Sequence, residues 1–147
     1  MKLKCPGTAT SLTHREPVRV RFSDVDQLGI VWHGRYLDYL ADAREGFGKR
    51  YGLGVEFFAE HGLALPVVGL EINYLHALHY HEEAYVEVTY RLASSAKLIY
   101  SYELVLAKSS RVALRAYTVQ VFYDMGSRGL LLTEPECIRA WRRQRGV

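Results

Sequence analysis

The strongest constraint on this chain is a single switch of hydrophobic period. From Arg35 onward the residues Tyr36, Leu40, Ala43, Phe47 and Tyr51 recur at steps of three and four, which lines one side of a helix with apolar groups. Asp38, Asp42, Glu45 and Lys49 fall on its other sides. Gly46 and Gly48 oppose a helix here, since an interior glycine costs about 1 kcal/mol relative to alanine. Either the helix ends early or something packs very close to this segment, and close packing is favoured because Tyr51-Gly52 supplies a natural stop. A shorter helical piece is expected over Val55–His61.

After that piece the chain reads as sheet. Leu65–Leu78, Ala84–Leu92, Leu98–Ala107 and Val112–Tyr123 are rich in Val, Ile, Leu and Tyr, with polar breaks at "HYHEE", "ASSAK" and "KSSR" between them. An earlier strand is expected over Val18–Phe22, where "VRVRF" alternates apolar and charged residues, followed by a loop over Ser23–Leu28. Long antiparallel strands preceded by one helix predict an α+β domain, a curved antiparallel β-sheet wrapped around a long central α-helix. "DMGSRG" reads as a turn. "TEPECIRAWRRQ" opens acidic and ends cationic, the charge order of a short terminal helix.

A chain of 147 residues, 49% hydrophobic, fits one domain with a sizeable core. Residues 1–16 are polar and contain Pro6 and Gly7, so they are expected to form a flexible N-terminal arm, leaving 17–147 as the folded domain. The net charge of +3 is concentrated in "RAWRRQR", which fits a solvated helix face better than a nucleic-acid groove. Cys5 and Cys137 belong to no CxxC or CxxH arrangement, so no metal site is expected from them, and two unpaired thiols suit the cytoplasm. No apolar run is long enough for a signal peptide or a membrane span.

The chemistry is concentrated between Arg21 and Leu40, "RFSDVDQLGIVWHGRYLDYL". Two carboxylates, Asp24 and Asp26, precede Gly29, His33 and the helix. An ionised aspartate can attack an acyl carbon or take a proton from water. Backbone N–H groups at the first turn of a helix can hold a developing oxyanion, aided by the positive end of the dipole. Gly29 allows the tight turn that presents the amides of Ile30–His33, with the N–H of His33 as the candidate donor. Asp24 is expected to shape the loop by bonding to its amides.

The run D-x-D-x-x-G-I-V-W-H-G-R-Y resembles the signature of the hotdog-fold acyl-CoA thioesterases of the 4-hydroxybenzoyl-CoA type, and the likeness extends more loosely over Val18 to Tyr123. The resemblance implies a hotdog fold and hydrolysis of an acyl-CoA thioester to a free acid and coenzyme A. It implies that Asp26 is the catalytic carboxylate, as nucleophile or general base, with His33 contributing to catalysis. Gly29, Val31, Trp32 and Tyr36 would then border the substrate. Lys97 sits where related enzymes often place a basic residue against the nucleotide phosphates. His33 is typical of the short aliphatic acyl branch and Trp32 of the aromatic branch, so both acyl classes stay open. Arg35 stands where the family usually has Asn or Ser, which cap helices better. Gly34 is the alternative cap, and Arg35 could reach an acyl carboxylate or a CoA phosphate, or simply be solvated.

The resemblance further implies a homodimer or homotetramer with sites at the subunit boundary. It implies no cofactor, coenzyme A being part of the substrate. His76, His79 and His81 lack a well-placed fourth ligand and are expected to form a hairpin turn. Two other readings share the fold: a hotdog dehydratase or hydratase, whose histidine sits in a different motif, and a non-catalytic acyl-CoA or acyl-carrier binding protein.

Overall fold

The structure, a computed structural model, describes residues 3–147; the first two residues of the expected arm lie outside them. Five antiparallel strands form the main sheet in the order β1-β4-β5-β6-β3, with β1 Thr8–Val18, β3 Val67–Tyr74, β4 Ala84–Leu92, β5 Lys97–Leu106 and β6 Val112–Val121. A small second sheet joins β2 Leu63–Ala64, β7 Tyr123–Asp124 and β8 Gly129–Leu130. Helix α1, Tyr36–Tyr51, lies against β1 and β4, and α2, Val55–Glu60, follows it. This is the predicted sheet around a central helix.

The core follows from the period switch. Leu40, Ala43 and Phe47 of α1 are at most 2% exposed, and they meet the alternating buried residues Val86, Val88 and Tyr90 of β4 and Leu98, Tyr100 and Tyr102 of β5. Full burial of a side chain such as Phe47 contributes roughly 1.5–3 kcal/mol. The two helical glycines have the close neighbours expected of them. A Cβ at Gly48 would lie 2.7 Å from Cα of Gly54 and 2.9 Å from the carbonyl oxygen of Leu53, while one at Gly46 would strike the side chains of His14 and Glu16. Helix α1 stops where predicted, with Gly52 at φ 69°.

Two expectations at the start of the chain are corrected. The segment before Glu16 is not a loose arm from Thr8 onward, because β1 runs from Thr8 and pairs with β4 from Thr8↔Leu92 to Val18↔Ala84. Its only large buried side chain is Leu12, so hydrophobic pattern hides it; the ladder to β4 and the bond from the Tyr51 hydroxyl to the Thr13 carbonyl (2.6 Å) hold it in place. Conversely, "VRVRF" is not a strand beyond Val18. Phe22–Asp24 is a turn of 3₁₀-helix, because Asp24 bonds back to Arg21 through both its main-chain N–H and its carboxylate, and such local bonds compete with a sheet ladder.

The cationic terminus is α3, Glu136–Arg145. Ile138 and Trp141 are buried, and the Trp141 indole N–H and the Arg145 guanidinium donate to the carbonyl of Tyr51 at 2.7 and 2.6 Å, satisfying an end of α1. Arg139 and Arg143 pair with Glu136, and Arg142 with Glu134, so much of the basic tail is neutralised within the fold.

One edge of the sheet stays open on the helix side. Val67, Leu70 and Tyr74 of β3 pair with Gln120, Thr118 and Leu114 of β6 and share the face of those buried residues, yet they are 45%, 42% and 49% exposed.

Candidate active site

Asp24 and Asp26, two residues apart, have opposite surroundings. Asp24 is fully buried. Its Oδ2 accepts the main-chain N–H of Arg21 at 2.9 Å and the Tyr39 hydroxyl at 2.9 Å, while its Oδ1 takes the Arg21 guanidinium at 3.1 Å. Burial pushes the pKa of Asp24 up, but the bonds from Arg21 and Tyr39 outweigh it and hold the carboxyl below its ordinary range. With its lone pairs occupied and no access to solvent, Asp24 is a structural anion. It fixes the loop on α1, as expected of a turn-shaping aspartate.

Asp26 is exposed and sits in a small hairpin of its own. Its N–H donates to the Ile30 carbonyl (2.8 Å), its carbonyl accepts from Gly29 N–H (3.0 Å), and its Oδ1 accepts the Leu28 N–H (2.8 Å). Gly29 turns the chain at φ 74°. Two bridges clamp this hairpin, Val25↔Val31 and Ile30↔His79, and Val31 N–H donates to the Leu78 carbonyl at 2.8 Å. These bonds explain why the strand expected to reach Leu78 ends at Tyr74. Leu75 and His76 still donate to the Ala113 carbonyl of β6, and beyond them the chain to His79 turns away to hold the loop. Among the described residues nothing else bonds the Asp26 carboxylate, so Oδ2 is available to a ligand.

The mouth of α1 follows directly. Trp32 N–H donates to the Asp24 carbonyl (2.8 Å), Arg35 N–H to the Trp32 carbonyl (2.9 Å), and the Tyr74 hydroxyl to the His33 carbonyl (2.8 Å). Between those anchored groups the N–H groups of His33 and Gly34 have no acceptor among the described residues. With the N–H groups of Tyr36 and Leu37, which also have no acceptor among the described residues, they are free donors at the positive end of the helix. Arg35, not Gly34, occupies the N-cap position, and its side chain does not cap the helix but lies near Asp38 (3.6 Å) and Asp24 (4.0 Å). Arg35 is therefore held by two carboxylates of its own chain.

The other expected site residues separate into three groups. Trp32 is exposed, packs its ring over Gly34 and lies 4.7 Å from the His33 ring. The His33 imidazole makes no hydrogen bond to Asp26 among the described residues. Val31 and Tyr36 are core residues, 3% and 4% exposed, the Tyr36 hydroxyl accepting the Leu78 N–H at 3.2 Å. Burial raises the pKa of Tyr36 against the lowering effect of that bond, and Asp26 is among the charges that add to the rise, which places the Asp26 carboxylate within its electrostatic reach. Lys97 stands apart. It opens β5 at the end paired with Val121, seven residues and about 23 Å of strand from the Leu104–Leu114–Tyr74 row beside the helix mouth. Within one chain it does not join Asp26.

His79 and His81 form a turn, as expected: His79 bonds Glu82 through its N–H (3.0 Å) and its ring (2.6 Å), and His81 has φ 77°. Sequence reasoning missed Tyr39, Tyr74 and Leu78, which position the loop. Tyr39 carried a readable signal, a phenol on the buried helix face three residues from Tyr36. Tyr74 and Leu78 reach the loop only through the tertiary fold.

Comparison with known proteins agrees with this architecture. Residues 20–142 match the model of the family described as the thioesterase-like superfamily. YneP of Bacillus subtilis, provisionally named an acyl-CoA thioesterase, is 31% identical over 90 residues, covering 61% of this chain and 65% of that protein. The chloroplastic acyl-acyl carrier protein thioesterase ATL3 of Arabidopsis thaliana is 24% identical over 118 residues, 80% of this chain and 62% of that one. The chain thus spans just under two thirds of the length of the curated relatives it matches. Among solved structures, Slr0204, a 1,4-dihydroxy-2-naphthoyl-CoA thioesterase from Synechocystis, superposes with a TM-score of 0.78 at 23% identity over 92% of this chain and 98% of that one. At that identity the likeness is one of fold, and the fold is the hotdog.

Proposed function

The chain belongs to the thioesterase-like superfamily, and from that premise we propose that it hydrolyses acyl-CoA thioesters to a free acid and coenzyme A. The observation that carries this reading is the pairing of an exposed, half-bonded carboxylate, Asp26, with free N–H groups, those of His33 and Gly34 among them, at the mouth of α1. A thioester carbonyl oxygen seated on those amides would gain stabilisation as it becomes an oxyanion. Asp26 would attack the carbonyl carbon to give a mixed anhydride that water then cleaves, or take the proton from an attacking water. Either course uses Oδ2 and leaves the bond from Leu28 in place. His33, on Trp32, would orient the thioester. The reaction needs no resident cofactor, since coenzyme A arrives with the acyl group.

The site is wide open in a single chain, and the uncovered apolar edge at β3 gives a second copy a place to bind. Pairing β3 with its own copy antiparallel, about a dyad near the strand's middle, would set Tyr74 beside the partner's Val67. The sheet would become continuous across two subunits, and the helix mouth would face walls from the neighbour. Exclusion of water there strengthens every charge and dipole in the site.

The acyl group is not selected by the fold. Proteins of similar structure include a 1,4-dihydroxy-2-naphthoyl-CoA, a gentisyl-coenzyme A and a 12:0-ACP thioesterase. Release of free thiol from benzoyl, phenylacetyl, short aliphatic and long aliphatic CoA esters is the test. Turnover of at least one class supports the reading. Binding without release across the panel would favour a non-catalytic acyl-CoA binding protein, and hydration of an added 2-enoyl-CoA to a hydroxyacyl-CoA with no release of thiol would favour a hydratase.

A further inference from the structure

One side-chain hydroxyl reaches the mouth of α1 from the sheet: that of Tyr74, which donates to the His33 carbonyl at 2.8 Å. In a regular first turn that carbonyl would accept the N–H of Leu37, four residues on. Here the Leu37 N–H has no acceptor among the described residues, and the Tyr74 hydroxyl stands in its place. Sheet register sets where this phenol lies. Tyr74 ends β3 opposite Leu114 of β6, and its ring meets that of Tyr36 edge-on, with 5.5 Å between centroids and 67° between planes. Burial raises the pKa of the Tyr74 hydroxyl, so it stays protonated, and a donor, throughout the neutral range.

The His33 carbonyl and the Gly34 N–H are the two ends of one peptide unit. A donor on the oxygen draws electron density through the conjugated amide and makes its N–H a stronger donor in turn, the cooperativity of linked hydrogen bonds. That N–H is one of the free donors at the helix mouth, and the Trp32 ring lies so close over Gly34 that a side chain there would clash with it. The neighbouring His33 N–H is backed by the main chain alone, since the Trp32 carbonyl accepts the N–H of Arg35 at 2.9 Å. Tyr74 does for one peptide what the turn does for the other.

We propose that Tyr74 is a positioning residue for thioester hydrolysis: its hydroxyl orients and polarises the His33–Gly34 peptide, so that the Gly34 N–H holds the developing oxyanion more strongly than an unassisted amide. The inference rests on the thioesterase reading, and it adds to that site a component from β3, outside the stretch of loop and helix that carries the rest. Tyr74 acts through the peptide and not on the substrate.

Tyr74→Phe tests it, keeping the ring and deleting only the donor. With isotopic labels at histidine carbonyl carbons and glycine nitrogens, two peptides alone give a correlated magnetic-resonance signal, His33–Gly34 and His61–Gly62, the two His-Gly pairs of the sequence. The His61 carbonyl accepts no hydrogen bond among the described residues, so Gly62 is the internal control. In the variant the Gly34 nitrogen signal should move upfield while that of Gly62 stays in place. On the best substrate kcat should fall about threefold with KM little changed, since an oxyanion donor is worth about a hundredfold or more and cooperative polarisation about 10–30% of a bond. An unmoved Gly34 signal, an unchanged kcat, or a loss carried wholly by KM overturns the proposal. If the wild type hydrolyses no ester, the thioesterase reading fails instead, and the carbonyl stretching frequency of bound, carbonyl-labelled benzoyl-CoA and octanoyl-CoA decides whether Tyr74 strengthens the Gly34 donor. A lower frequency for either ester in the wild type than in Tyr74→Phe supports it; equal frequencies, or no binding, overturn it.

Discussion

The hydroxyl of Tyr39 donates to Oδ2 of Asp24 at 2.9 Å, inside the protein and beneath the loop that carries Asp26. This bond separates the duties of two aspartates that look equivalent in sequence. Asp24 ties the loop to the first turn of α1, and the rigidity so gained is what lets Asp26 and the His33 and Gly34 amides hold a fixed geometry.

Asp24→Asn should lower stability by about 1–3 kcal/mol, since the amide must set an NH₂ against donors that the carboxylate accepted. The loss is moderated because Arg21 is half-exposed and water screens its charge. Activity of the folded fraction should fall far less than in Asp26→Asn, because the reacting carboxylate is retained and only the rigidity of its loop is reduced. The pKa of Asp24 is depressed in the folded state, so its contribution is complete above the ordinary value of 3.8 and fades as pH falls through the lowered folded value. Urea midpoints of the wild type and variant should therefore differ at neutral pH and converge below about pH 3.8. A gap independent of pH would show that the charge of Asp24 is not what stabilises the loop.

Gly48→Ala should destabilise by about 1–3 kcal/mol despite the gain in helix propensity, because the new methyl meets backbone atoms of Leu53 and Gly54 that cannot turn aside. Thermal melting is the check. A raised Tm would mean that the turn after α1 yields easily.

His33→Ala should lower kcat by about tenfold and affect KM less, as a group that orients the thioester acts mainly in the transition state. The main-chain donor survives the change. An unaltered kcat on the best substrate would reduce the His33 side chain to a spacer.

The helix, its stop at Gly52 and four of the strands were legible because each carries a period that burial enforces, and Gly46 and Gly48 even announced their close neighbours. The edge strand β1 was not, since Thr8–Val18 buries only Leu12 deeply and owes its shape to the partner strand. "VRVRF" misled for the opposite reason: its alternation is real, but Asp24 captures Arg21 locally and curls the chain. Within the site the loop and the helix mouth are contiguous in sequence and could be read. Tyr74 and Leu78 arrive from a strand and a connection far along the chain.

The most direct test of the account is thioester hydrolysis by Asp26→Asn. The amide keeps the volume and an oxygen to accept the Leu28 N–H, so the hairpin should persist with unchanged circular dichroism and melting. It cannot act as nucleophile or base, and kcat should fall by roughly a thousandfold or more, far beyond the effect of Asp24→Asn. Purified Asp26→Asn protein that retains most of its activity, or loses no more than Asp24→Asn does, would contradict the assignment of Asp26 as the catalytic carboxylate.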